Sequence, residues 1–192
     1  MNKSRIEAFS DGVMAIIITI MILEIKAPES STITSLVPLI PVFLSYVLSF
    51  IYIAIYWNNH HHMFQAVKKI DGSVLWFNAI LLFWLSLIPF ATSWIGSQSF
   101  STIPIACYGF ILLMCALSYT LLQNKIIDLE GKESVLRQAV DKDKKGKISL
   151  ACYISAIPLA FISPLISGIL YIFVALIWIV PDKRIENQIN KN

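Results

Sequence analysis

Residues 5–28 read RIEAFSDGVMAIIITIMILEIKAP, and between Asp11 and Glu24 only Gly12 and Thr19 are not hydrophobic. About 20 mainly apolar residues suffice for a helix to cross a bilayer, so the stretch predicts a membrane span over 5–25. Asp11 stands at the head of the oily run, where an ionised carboxylate costs several kcal/mol; such a residue is functional or tied to a partner by default. Arg5 lies six residues away, on another face of the helix, and cannot make the i,i+4 pair that would neutralise both. Asp11 therefore needs a partner on another helix. Ser4 and Glu7 form an S-x-x-E capping box, which starts the predicted helix at Ser4.

The rest of the chain agrees. Of its 192 residues 57% are apolar and 14% charged, and the mean hydropathy is +0.71. A soluble domain carries roughly 25% charge, so the composition predicts an all-α integral membrane protein, with no length left for a soluble domain beside the spans. Cys107, Cys115 and Cys152 lie in oily segments without a C-x-x-C, and read as small buried hydrophobes. Six spans are predicted, over 5–25, 37–62, 73–95, 103–124, 148–163 and 165–181. The last two are short and meet at Ser163-Pro164, where proline disfavours a helical preceding residue and a tight hairpin is expected.

Six spans place both termini on one side. Lys3, Arg5, Lys68, Lys69, Lys125, Lys132, Arg137, Lys142, Lys144, Lys145, Lys147, Lys183, Arg184 and Lys191 then share a face, with only Lys26 opposite. The positive-inside rule makes that face, and both ends, cytoplasmic. Residues 125–147 form a polar cytoplasmic loop with a short interfacial helix around 132–140. Its lysines either touch anionic lipid or simply fix topology as a solvated loop. The chain reads as one domain over 1–192 with no internal repeat, and a cleavable signal peptide is not indicated.

On the first helix Ile16, Thr19, Ile20 and Leu23 fall at i, i+3, i+4 and i+7, one stripe. Periodicity alone does not set this stripe apart, because Ile17, Ile18, Met21 and Ile22 are oily as well.

Arg5, Phe9, Ser10 and Asp11 spell R-x-x-x-F-S-D, which resembles the signature of the potassium-channel family typified by the lysosomal transmembrane protein 175, in its short bacterial branch. The second helix ends YWNNHHHMF, similar to the family's tryptophan–histidine pattern at Trp57, His60, His61 and Phe64. Asn78 and then PFATS at 89–93 follow the family style on the third. The resemblance implies a homotetramer whose four first helices surround an ion pathway, in a multi-pass protein of the bacterial inner membrane. It places the constriction on Ile16, with Thr19, Ile20 and Leu23 as layers toward the outside. It implies potassium as permeant ion, and no cofactor or resident metal. There is no T-V-G-Y-G carbonyl ladder in this chain or in the family.

Rings of branched apolar side chains offer no coordinating oxygens, so an ion passes only if it keeps or cheaply sheds its water, and such a ring can gate by dewetting. Potassium holds its shell less tightly than sodium, which predicts a modest potassium preference. Thr19 would add one weakly polar station.

For Arg5, Ser10 and Asp11 two readings stand: a hydrogen-bonded staple between helices, and a gating or proton-sensing element. His60, His61 and His62 are about 100° apart on the helix and cannot all face one metal. His60 or His61 is the expected partner of Asp11, with Asn78 in the same network, and protonation near neutral pH could tune the channel. Trp57, Trp76, Trp84, Trp94 and Trp178 read as interfacial or packing aromatics. Glu24 reads either as a ring that concentrates cations at the outer mouth or as a single carboxylate marking the membrane boundary beside Lys26.

Two rival functions are a proton- or cation-coupled secondary transporter using Asp11 and His60–His62, and an intramembrane enzyme. Carriers are commonly built from repeats, which this chain lacks, and no H-E-x-x-H, paired carboxylates or Ser/His arrangement points to an enzyme. Nucleic-acid binding has no support beyond lysines that topology already accounts for. The expected partners are further copies of the chain, the bilayer and monovalent cations.

Overall fold

The computed structural model describes residues 3–131, 134–140 and 143–179. Lys132, Lys142, Lys183, Arg184 and Lys191 of the charge pattern lie outside the described residues, as does the end of the span expected over 165–181. The described residues are helical, with no strand among them: α1 (Lys3–Leu23), α2 (Ile40–Gln65), α3 (Gly72–Ser86), α4 (Ile88–Ser97), α5 (Thr102–Glu130), α6 (Val135–Val140), α7 (Lys144–Leu159) and α8 (Pro164–Ile179). A 3-10 segment, Ile33–Leu39, leads directly into α2.

Four segments are long and apolar enough to cross a membrane: Lys3–Leu23, Ile33–Gln65, Gly72–Ser97 and Thr102–Glu130. α7 and α8 have 16 residues each, about 24 Å at 1.5 Å per residue, less than the ~30 Å of a hydrocarbon core.

Several local boundaries differ from the sequence expectation for physical reasons. α1 is already helical at Lys3, so Ser4 lies within it and is not the cap. The third predicted helix is two pieces, broken at Leu87 ahead of Pro89; proline's missing N–H and clash with the preceding turn interrupt a helix there. The loop expected from 125 begins only after Glu130, because Ile126 and Ile127 are buried and carry α5 one more turn. Gly131 then ends it with φ +96, a left-handed conformation open to glycine.

α1 packs against α2, α3 and α4, while α5, α7 and α8 form the other side of the bundle with α2. Tyr52, Tyr108, Tyr153 and Tyr171 fill the space between α2, α5, α7 and α8. A buried phenol needs a hydrogen-bond partner. Tyr52 donates to the Tyr171 carbonyl at 2.7 Å, Tyr171 to the Ile105 carbonyl at 3.1 Å, and Tyr108 shares a 2.9 Å bond with Ser49. α7 and α8 form a hairpin closed by Ser167 Oγ donating to the Ala156 carbonyl and Trp178 Nε1 to Ser149 Oγ.

Candidate functional site

α1 has two sides. Ile6, Ser10, Met14, Ile17 and Met21, spaced by three or four residues, are buried against the bundle. Ile16, Thr19, Ile20 and Leu23 lie on the other side and remain exposed in the single chain, Ile16 at 59% and Leu23 at 66%. Ala8, Gly12 and Ala15 are exposed along the same side; a Cβ added to Gly12 would meet nothing within 4 Å. Thr19 Oγ1 donates to the Ala15 carbonyl at 2.9 Å. That bond engages the hydroxyl hydrogen with the helix's own backbone, and the oxygen keeps its accepting capacity.

The residues of the R-x-x-x-F-S-D stretch divide between two branches. The inner branch is buried: Asn78 Nδ2 on α3 donates to Ser10 Oγ at 3.0 Å, and His60 Nε2 on α2 lies 2.8 Å from Asn78 Oδ1. With the amide oxygen accepting, the His60 proton sits on Nε2. The His60 ring also stacks on Phe64 at 4.5 Å. Three helices, α1, α2 and α3, are thereby joined through Ser10, His60 and Asn78, in a place where unpaired polar groups are costly.

The outer branch is exposed. Trp57 Nε1 donates to Asp11 Oδ1 at 3.0 Å. The partner of Asp11 is thus a tryptophan and not the His60 or His61 expected from sequence, and Trp57 is more than an interfacial or packing aromatic. The reason is reach: Trp57 and His61 sit one turn apart on the same side of α2, and the long indole extends to α1 while His61 stacks on its ring with 6.4 Å between centroids. His61 Nε2 in turn accepts from Gln65 Nε2 at 2.9 Å. His60 is turned away toward α3. Among the described residues no hydrogen bond links Asp11 to a histidine. His62 is half-buried, and its Nδ1 has no hydrogen-bond partner among them. Arg5 and Phe9 are exposed on α1, Phe9 at 63%.

At the far end of α1, Ser93 Oγ on α4 donates to Glu24 Oε2 at 3.1 Å. Glu24 is exposed and tied to the same protomer.

Two further polar arrangements lie away from the R-x-x-x-F-S-D stretch, the first of them centred on Thr92 of PFATS. Thr92 Oγ1 lies 2.6 Å from Ser49 Oγ and 2.7 Å from the Ile88 carbonyl, extending the Ser49–Tyr108 pair into a buried chain across α2, α4 and α5. Glu130 Oε1 accepts the backbone N–H groups of both Lys68 and Lys69 at 2.6 Å, fastening the end of α5 to the α2–α3 connection. The spacing of Ser49, Tyr52 and Tyr56 along one side of α2 is a sequence signal for the first; nothing in the sequence signals the second.

Comparison with known proteins points to one family. Residues 5–89 match the family described as Endosomal/lysosomal potassium channel TMEM175. The chain is 55% identical over 192 residues to a potassium channel of Chryseobacterium sp. (strain P1-3), covering all of both chains. It is 34% identical over 103 residues to the Endosomal/lysosomal proton channel TMEM175 of Danio rerio, which covers 47% of this chain and 20% of that one. Among solved structures it is similar to the crystal structure of a lysosomal potassium-selective channel TMEM175 homolog from Chamaesiphon minutus. The TM-score is 0.81 at 30% identity, covering 94% of this chain and 97% of that one.

Proposed function

The chain belongs to the TMEM175 potassium-channel family, and we propose that it conducts potassium along a central pathway lined by the α1 helices of four identical subunits. It is an ion channel of the membrane and not an enzyme. In the proposed assembly the chain is one domain crossing the bilayer six times, the α7–α8 hairpin included, with both termini cytoplasmic. The membrane is the bacterial inner membrane.

One observation carries the reading: Ile16, Thr19, Ile20 and Leu23 stay exposed on the side of α1 opposite its packed face. Apolar exposure alone would equally suit lipid, as on the other helices; this flank also carries the Thr19 hydroxyl and a run of small residues, which suit helix–helix contact. The small exposed residues Ala8, Gly12 and Ala15 let neighbouring helices approach closely. Ile16 then forms the narrowest ring and Thr19 contributes an accepting oxygen, with Ile20 and Leu23 as further layers. Glu24, held by Ser93, is a fixed carboxylate at the outer mouth. Four copies of it raise the local cation concentration. No cofactor is needed, and potassium is the permeant ion.

In this assembly Arg5, Phe9, Asp11, Trp57 and His61 form the exposed cytoplasmic half of the subunit contact. Ser10, His60 and Asn78 hold α1 at the correct rotation from behind. The staple reading of the motif is preferred over proton sensing because Asp11 already has a donor in Trp57, His60 is bonded to Asn78 on the inner branch, and His61 is bonded to Gln65 rather than to Asp11.

Potassium and sodium reversal potentials across a bilayer containing the purified protein test the reading. A modest potassium preference is expected. Equal permeability overturns the apolar constriction, and a subunit count of one in detergent overturns the shared pore.

A further inference from the structure

Where α2 gives way to α3, the bundle carries basic side chains whose neighbouring carboxylates are engaged with backbone. Lys68 and Lys69 are exposed, and the carboxylate beside them, Glu130, accepts their backbone N–H groups. Lys3 of α1 reaches the same place, its Nζ donating to the Gln65 carbonyl at 3.3 Å, three residues ahead of Lys68. Asp71 is engaged as the cap of α3, accepting from the Val74 N–H at 2.9 Å and from the Ser73 hydroxyl. Among the described residues neither Lys68 nor Lys69 has an ion-pair partner.

Trp76, in the second turn of α3, is 75% exposed. A bare indole beside the start of a spanning helix belongs at the headgroup level of a bilayer. Lys68 and Lys69 precede the first residue of α3 by four and three positions, on the side of Trp76 away from the span.

With this end on the cytoplasmic side as proposed above, we propose that Lys3, Lys68 and Lys69 bind the phosphate headgroup of an anionic phospholipid of the cytoplasmic leaflet, with Glu130 as the positioning residue. Lysine is a point-charge donor suited to phosphate. Juxtamembrane lysines are attracted to anionic lipid. Two successive N–H groups held by one carboxylate oxygen fix the backbone that carries both lysines, so less ordering is needed when the lipid arrives. Glu130 lowers the local positive charge by one and still favours binding through this geometry.

The test is native mass spectrometry of the purified full-length protein titrated with phosphatidylglycerol and, separately, phosphatidylcholine of the same chains. Retention of phosphatidylglycerol over phosphatidylcholine is expected, falling about fivefold for each lysine changed to glutamine in Lys68→Gln and Lys69→Gln. The Lys68→Arg/Lys69→Arg protein keeps retention. Glu130→Ala, although it makes the protein more positive, lowers it. Equal retention of the two lipids overturns the proposal, as does wild-type retention by the double glutamine variant. Higher retention by Glu130→Ala also overturns it, by showing net charge alone at work. Should Glu130→Ala fail to fold, the lysine variants decide. Potassium flux in phosphatidylcholine vesicles is measured on the same preparations, so failure of the lipid site and failure of the channel reading are told apart.

Discussion

The indole N–H of Trp57 on α2 donates to the Asp11 carboxylate on α1 at 3.0 Å, while Ser10, the residue before Asp11, is held by Asn78 on α3. Adjacent residues of one motif thus tie α1 to two different helices and fix its rotation. Trp57→Phe keeps the ring and removes the donor. A hydrogen bond to a charged group contributes about 1.5–3 kcal/mol, less when exposed, so about 1 kcal/mol of protomer stability should go. The thermal midpoint in detergent should fall and the tetramer fraction in size-exclusion with light scattering should drop with it. A stable tetramer with altered permeation would instead make Asp11 a gating element.

Met14 and Ile16 are two residues apart on α1 and should behave as opposites. Met14 is 1% exposed against the bundle, and Met14→Ala should cost about 2–5 kcal/mol of stability. Ile16→Ala removes a side chain that touches solvent in the protomer and should leave thermal unfolding nearly unchanged. It should raise flux and bring the potassium-to-sodium permeability ratio toward one. Paired melting curves and reversal potentials check this; an Ile16 variant that unfolds early while conducting normally would remove it from the pathway.

Thr92 joins Ser49 and Tyr108 in a chain with no water-exposed member. Thr92→Val keeps the shape and deletes the hydroxyl, leaving Ser49 short of a partner. The expected loss is about 1–3 kcal/mol, read as an earlier unfolding transition. Thr92→Ser, which retains the hydroxyl, should recover most of it.

Helix existence and apolar character were legible in the sequence because a bilayer imposes long hydrophobic runs, and α1 is plain from residues 12–23. Its rotation was not legible: Ile16 and Ile17 are chemically identical, yet one is exposed and the other buried. Only tertiary contacts distinguish them, and the motif resemblance rather than periodicity singled out Ile16. The partner of Asp11 escaped because helical spacing says which side Trp57 and His61 share but not which side chain reaches farther. Glu130 escaped for another reason: its partners are backbone N–H groups 61 and 62 residues away, and backbone donors carry no residue signature.

Gly96 on α4 stands where α2 passes closest. A Cβ there would lie 2.7 Å from the Val42 Cα and 2.9 Å from Ser45 Oγ. Backbone cannot rotate out of the way as a side chain can, so Gly96→Ala must push α4 off α2. Overpacking of this kind costs about 1–3 kcal/mol. A fall in thermal midpoint in detergent is expected, larger than for Gly168→Ala on α8, whose added Cβ meets nothing within 4 Å. Equal effects at the two glycines would mean that the α2–α4 approach is not a tight one.

Asp71 supplies a stability that depends on pH, with a definite sign. The Val74 N–H and the Ser73 hydroxyl, with Lys125 nearby, hold its carboxyl below the usual aspartate range. A group whose folded pKa is depressed adds stability that is present above its unfolded value and is lost as pH falls through the folded one. The stability advantage of wild type over Asp71→Ala should therefore be constant around neutrality and shrink once the pH drops below about 4. Asp71→Asn, which keeps an accepting oxygen without the charge, should fall between them at pH 7 and show no such titration. Thermal unfolding of the three proteins at pH 7 and at pH 3.5 measures this. A wild-type advantage that is the same at both values would mean that the cap works through shape alone, with no contribution from the ionised carboxylate.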